Sequence, residues 1–224
     1  MLGPMTTTLI TGANRGIGLE LARQAAQRGD SVIAVCRHSS AELDALGVRV
    51  ESGIDITSDE AVARLATKLA GTRIDLLMCN AGILSHESLD DLDFERIRRQ
   101  FEVNSLGPLR VTHALLDNLG EGSKVGIVTS RMGSIGDNTS GSGYGYRMSK
   151  AAMNAAGVSL AVDLAPRKIA VVLLHPGFVR TQMTGRNGLV DPPDAAAGLL
   201  ARLDELSVDT TGRFKHANGE DLPW

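Results

Sequence analysis

The sequence predicts an α/β fold: a doubly wound parallel sheet of about seven strands with helices on both faces, in a single domain over residues 1–224. Three observations carry this expectation. Short β-branched apolar runs alternate with longer amphipathic stretches along the chain. Several of the short runs are apolar at consecutive positions, as in strands buried on both faces. No linker-like composition shift and no internal repeat interrupts the alternation, and 224 residues is a single-domain length.

The elements follow in order. Residues 6–11 are an apolar and Thr-rich run that stops at Gly12, the first strand. Over 15–28, Ile17, Leu21, Ala22 and Ala25 recur at helical spacing, and Gly29 ends that helix. Residues 31–36 are a second, buried strand and 48–52 a weaker third. Thr57-Ser58-Asp59-Glu60 fits a capping box that opens a helix over 61–70. A fourth strand spans 74–79, followed by one long helical stretch over 92–119. A fifth strand covers 124–129, and a long helix over 146–164 stops near Pro166. A sixth strand over 169–174 breaks at Pro176-Gly177. A helix over 193–206 and a short strand at Arg213–His216 close the chain.

Composition narrows the function. Glycine is high at 25 of 224 residues, against a usual ~7 %, and repeated glycine marks places where backbone must come close to something. Net charge is −3 with no basic block, which argues against a nucleic-acid partner. No apolar run reaches ~18 residues, so no membrane span is expected. Residues 1–5 lack a basic region followed by an apolar one, so no secretory signal is expected. Cys36 and Cys79 are isolated, without metal-like or redox spacing, which points to a reducing cytoplasm. The five histidines are scattered, and no metal set is expected.

The chemistry should lie after the strands, because ligands on open parallel sheets bind at the strands' carboxyl ends. Thr11-Gly12-Ala13-Asn14-Arg15-Gly16-Ile17-Gly18 sits between the first strand and the first helix. Gly12 permits a tight turn, Gly16 lets backbone approach a pyrophosphate, and Gly18 lets the helix pack close to the strand. The spacing, G-x-x-x-G-x-G, resembles that of the short-chain dehydrogenase/reductase family, a Rossmann-type fold. Further motifs of that family appear in order: Asn80-Ala81-Gly82 after the fourth strand, Asn104 in the long helix, and Ser130 at the end of the fifth strand. Tyr146-Arg147-Met148-Ser149-Lys150 matches its YxxxK, and His175 to Thr181 matches its post-strand PG segment.

The second strand ends Cys36-Arg37-His38, without the carboxylate that usually binds the ribose hydroxyls of NAD. Arg37 is there instead, with Arg15 inside the glycine turn. Two guanidinium groups suit a 2′-phosphate, so NADP(H) is expected over NAD(H). By resemblance, Asp55-Ile56 contacts the adenine, Asn80, Ala81 and Gly82 support the cofactor, and Pro176, Gly177, Val179 and Thr181 lie toward the nicotinamide.

Tyr146 and Lys150 are four apart and share a helix face. A free phenol titrates near 10, and lowering it to about 7 needs roughly 4 kcal/mol in favour of the phenolate. A nearby ammonium and the positive nicotinamide ring can supply that. Tyr144, the other tyrosine, has Met148 at the +4 position and lacks the ammonium. The resemblance implies Tyr146 as acid/base, Ser130 as the carbonyl-orienting hydroxyl, Lys150 as ribose holder, and Asn104 as holder of a relay water.

Residues 133–145 are rich in Gly and Ser, read as a mobile pocket rim or a flexible surface turn. Leu84, Met132, Phe178 and Met183 adjoin the motifs as pocket-wall candidates or ordinary core. Residues 130–138, the His175-Pro176-Gly177 run and the ending 218–224 are similar to the C-factor and sniffer-like carbonyl reductase branch. The resemblance implies reduction of a small aldehyde or ketone, with a cofactor-binding signalling role on the same scaffold as the alternative. It also implies a homo-oligomer, dimer or tetramer, paired through the two long helices.

Overall fold

The structure, a computed structural model, describes residues 6–224; the expectation about residues 1–5 lies outside the described residues. Seven strands form one parallel sheet: β1 (Thr7–Thr11), β2 (Ser31–Val35), β3 (Arg49–Glu51), β4 (Ile74–Cys79), β5 (Leu119–Val128), β6 (Ala170–His175) and β7 (Arg213–His216). Their spatial order is β3-β2-β1-β4-β5-β6-β7, as expected for a doubly wound sheet. The helices are α1 (Gly16–Gln27), α2 (Ala41–Asp44), α3 (Asp59–Lys68), α4 (Phe94–Phe101), α5 (Gly107–Ala114), α6 (Tyr144–Leu164) and α7 (Pro192–Asp204).

Successive strand side chains point to opposite faces, so the sheet divides the core in two. Leu9, Val35, Leu77, Ile127 and Val171 pack with Val62 and Leu65 of α3, Val111 of α5 and Met153 of α6. Ile10, Ala34, Met78 and Val172 pack with Leu21, Ala22 and Ala25 of α1 and Leu199 and Leu203 of α7. Each fully buried Leu, Ile or Val contributes about 1.5–3 kcal/mol. This explains why these strands carry no polar alternation. The winding reverses between β1 and β4, which pair directly. A crevice opens outside their carboxyl ends.

The helix expected over 92–119 is not continuous. A π-helical turn at Glu102–Leu106 separates α4 from α5, and β5 already begins at Leu119. Pro108 lies in the first turn of α5 and has no amide hydrogen to continue the α-helical ladder. The wider turn absorbs that missing bond, and it carries Asn104. β5 starts earlier than its apolar run because an irregular register joins Ile74 to Leu119 before regular pairing resumes at Leu76 and Lys124. Ser123 closes the irregularity, accepting from the Gly120 amide (3.0 Å) and donating to the Ile74 carbonyl (2.7 Å).

The cap of α3 is Ser58, whose hydroxyl accepts from the Ala61 amide at 3.1 Å. Thr57, the residue the capping box nominated, instead donates its hydroxyl to Asp55 at 2.8 Å. Helix α2 is too short for periodicity to reveal. Its cap, Ser40, also donates to the Asn14 carbonyl at 2.8 Å and so braces the glycine turn from outside.

Candidate active site

A cleft of about 1410 Å³ lies outside the carboxyl ends of the strands. Gly12, Asn14, Arg15, Gly16, Ile17 and Gly18 border it after β1. Arg37 joins them after β2, Asp55 and Ile56 after β3, and Asn80, Ala81 and Gly82 after β4. Tyr146 and Lys150 of α6, with Pro176 and Thr181 after β6, complete the expected wall. The cleft thus gathers residues 169 positions apart in sequence, from Gly12 to Thr181, at one end of the sheet.

The glycine turn is held by close approach on two sides. Gly12 has φ +67°, and a Cβ there would lie 2.8 Å from the Ala81 Cα. A Cβ on Gly18 would lie 2.2 Å from the Gly12 carbonyl oxygen and 2.5 Å from Asn80 Nδ2. Asn80 Nδ2 donates to the Thr11 and Gly12 carbonyls at 3.1 and 3.3 Å. Thr11 Oγ1 in return accepts from the Asn80 and Ala81 amides at 3.1 and 3.2 Å. The turn after β1 and the turn after β4 are therefore one unit. Helix α1 starts from it with no side-chain cap and no acidic residue in its first turn, so its leading amides and its dipole face the cleft unopposed. That cradle fits the diphosphate of a dinucleotide.

At the β2–β3 end, the Asp55 carboxyl lies below the usual carboxylate range. Burial alone would raise it, but bonds from the Thr57 amide and hydroxyl, together with the charges of Arg37 and Arg99, lower it. Arg99 of α4 borders the cleft and had no motif to announce it. The Arg15 guanidinium is engaged elsewhere, donating from Nη1 to Gln182 Oε1 at 2.8 Å, so the glycine turn is tied to the segment after β6.

At the other end, Lys150 Nζ lies 5.7 Å from the centroid of the Tyr146 ring and donates to the Val128 carbonyl at 2.9 Å. Burial pushes the lysine down to about 8. Burial also pushes the Tyr146 phenol up to about 12, with the Ser130 hydroxyl bonding to it and opposing part of the rise. The lowered phenol expected from the lysine four residues on is absent from the chain alone. Desolvation of the phenolate outweighs an ammonium that is itself desolvated. The group is held as an intact acid, the form that can give a proton to a developing alkoxide.

Asn104, Ser130, Gly177 and Val179 do not border the cleft. Asn104 is fully buried, and its amide clamps the β4–α4 loop. Oδ1 accepts from the Ile83 amide at 2.9 Å, while Nδ2 donates to the Ile83 carbonyl (2.9 Å) and Ser149 Oγ (3.1 Å). Both amide hydrogens are used, so a relay water could be held only through the remaining lone pair on Oδ1. Gly177 packs toward Val190 and His216, and Val179 is buried in a bridge to Val190. Of the pocket-wall candidates, Met183 borders the cleft and Phe178 is half exposed, whereas Leu84 and Met132 do not border it. None of residues 133–145 borders the cleft, and the segment is tied down by Arg147, whose guanidinium donates to the Gly141, Ser142 and Met132 carbonyls and to Ser140 Oγ.

The model of the short chain dehydrogenase family matches residues 6–189. The chain belongs to this family. Among its relatives in the family is the 1-hydroxy-2-glutathionyl-2-methyl-3-butene dehydrogenase of Rhodococcus sp. (strain AD45). It is 46 % identical over 226 residues, covering 98 % of this chain and 100 % of that protein. The C-signal protein of Myxococcus xanthus is 44 % identical over 162 residues, covering 71 % of this chain and 98 % of that one. Among solved structures, the carbonyl reductase Sniffer of D. melanogaster superposes with a TM-score of 0.91 at 28 % identity, over 98 % of this chain and 100 % of that one. A short-chain dehydrogenase/reductase from Burkholderia multivorans with bound NADP superposes with a TM-score of 0.88 at 30 % identity, over 99 % and 100 %. The short chain dehydrogenase assignment makes the protein an oxidoreductase with a nicotinamide-cofactor fold, and the sniffer and C-factor resemblance read from the motifs agrees with these relatives. Among the described residues, no helix is long and apolar enough to cross a membrane.

Proposed function

We propose that this chain, as one domain, transfers hydride between NADPH and the carbonyl of a small aldehyde or ketone in the cytoplasm. The observation that carries the reading is that Tyr146, with Ser130 behind it, and Lys150 stand in the same cleft as the glycine cradle. NADPH bound along that cleft supplies the hydride. Ser130 and Tyr146 hydrogen-bond the carbonyl oxygen, which places donors where negative charge develops. Tyr146, a phenol at neutral pH, gives the oxygen its proton. Lys150 holds the nicotinamide ribose and, when charged, favours the phenolate left behind. Asn104 keeps the loop after β4 against α6, and its free lone pair is where a relay water would sit.

The 2′-phosphate is assigned to Arg37, with Arg15 and Arg99 contributing charge around it. A charge-assisted hydrogen bond contributes about 1.5–3 kcal/mol. Arg37→Glu is therefore expected to raise the NADPH Kd at least ~10-fold and leave the NADH Kd within about threefold. Equal losses for both cofactors, or a wild-type preference for NADH, would remove the NADP reading.

The functional test is NADPH oxidation across a panel of aldehydes, ketones and quinones. The Rhodococcus relative's name describes an alcohol joined to glutathione, so the panel includes such an alcohol with NADP+ in the reverse direction. Turnover on one of these classes is expected. Tight NADPH binding with no turnover on any would favour the second reading, a cofactor-binding signalling protein, which the M. xanthus C-signal relative supports. The exposed Leu106, Leu109, Val158 and Val162 on α5, α6 and the turn between α4 and α5 support pairing with a second copy. Sedimentation at one chain mass would exclude that pairing.

A further inference from the structure

Helix α6 carries the proposed acid in its first turn, yet it begins without a side-chain cap of its own. Its N-cap is Gly143, with φ +61° and no side chain to offer. The missing cap comes from elsewhere in the fold. Glu87, in the loop between β4 and α4, is only 2 % exposed. Its Oε2 accepts from the Gly145 amide at 3.1 Å, and its backbone carbonyl accepts from the Gly143 amide at 2.8 Å. A carboxylate at this point answers the orphan Gly145 amide and the positive end of the α6 dipole.

The carboxylate is itself held. Ser85 Oγ donates to Oε1 at 2.6 Å, and Gln100 Nε2 donates to Oε1 and Oε2 at 3.1 and 3.3 Å. Gln100 is fully buried, and its Oε1 accepts from the Ser85 amide at 3.0 Å. Gly145 is pressed against this group, since a Cβ there would lie 2.2 Å from Gln100 Nε2 and 3.1 Å from the Ile97 Cα. The same loop is clamped one step earlier by Asn104, which reaches Ser149 Oγ, and Ser149 Oγ donates to the Tyr146 carbonyl at 2.8 Å. Hydrogen bonds from the loop and from the α4 side thus meet on the turn that bears Tyr146 and Lys150.

We infer that Glu87 is a positioning residue for Tyr146: a carboxylate borrowed from the β4–α4 loop that caps α6 and sets the phenol against Ser130. The inference rests on the reading of Tyr146 as the acid. Glu87 does not border the cleft and touches neither cofactor nor substrate in that reading. Each of the three side-chain and backbone groups facing its oxygens is a donor. A carboxylate, which only accepts, matches all of them, whereas a carboxamide must turn its NH2 against one.

The test is Glu87→Gln, close in shape to glutamate but with a donor where the site needs an acceptor. A reacting group moved by ~1 Å can cost ~100-fold in rate. The expected result is a kcat at least ~10-fold lower, with the carbonyl KM and the NADPH Kd within about twofold and one NADPH bound per chain. Gln100→Met, which withdraws the amide from both oxygens, is expected to act in the same direction and carries the test if Glu87→Gln does not fold. Unchanged kcat in the folded variant overturns the inference. So does a kcat loss matched by the loss of NADPH sites, since that marks general loosening. Tyr146→Phe is measured alongside. Should it keep wild-type turnover, the acid assignment itself fails; should it lose turnover while Glu87→Gln does not, only the positioning role fails.

Discussion

Tyr146→Phe is expected to lower kcat at least ~100-fold, within the range for a general acid, while NADPH still binds within about threefold of wild type. The substitution deletes one oxygen from a half-buried ring whose neighbours are otherwise undisturbed. What it removes is specific: the phenol's proton and its bond to Ser130. Lys150 keeps its bond to the Val128 carbonyl, so the nearby wall of the cleft has no reason to move. Steady-state kinetics and a fluorescence titration with NADPH separate the two effects. Wild-type turnover in the variant would refute the assignment. Tyr144 gives a control, because it borders no part of the cleft and has no lysine one turn on. Tyr144→Phe should keep turnover within about twofold.

Gly18→Ala is expected to weaken cofactor binding where Tyr146→Phe removes chemistry. One added methyl would stand 2.2 Å from the Gly12 carbonyl oxygen and 2.5 Å from Asn80 Nδ2. Neither neighbour can give way alone, because Asn80 ties the turns after β1 and β4 together. Overpacking of this kind costs about 1–3 kcal/mol, so NADPH Kd should rise at least ~10-fold and the melting temperature should fall. Gly29→Ala is the contrast. Its φ is +93° with nothing within 4 Å of the added carbon, so the strain is purely local. It should lower the melting temperature and leave the NADPH Kd unchanged. Equal effects on Kd from both variants would show that stability alone, not the cradle, was being read.

The long α6 and the interrupted α4–α5 segment illustrate how much of the site was legible in the residues. Tyr146 and Lys150 are one helical turn apart, so their shared face follows from the 3.6-residue period. Asn104 was located by its motif, but its use was not. Its partners, Ile83 and Ser149, lie 21 and 45 positions away, and only packing shows that both of its amide hydrogens are spent on them. The break at the π-helical turn was readable in part, since Pro108 stood inside the expected helix. Glu87, Gln100 and Arg99 carried no signal at all. Each is an ordinary polar residue in a loop or on a helix until the fold puts it beside Gly145 or Asp55.

The residues by themselves determined the parallel α/β sheet, the glycine turn at its switch point and the pairing of a tyrosine with a lysine. All three depend on spacings of a few residues, which backbone geometry enforces locally. The tertiary structure alone decided the rest: that Tyr146 and Lys150 stand together at the wall of the cleft, that Asn104 spends both amide hydrogens on Ile83 and Ser149, and that α6 is capped by a carboxylate 58 residues away. Those outcomes depend on which groups lose water and which donors meet which acceptors, and these are properties of the packed chain.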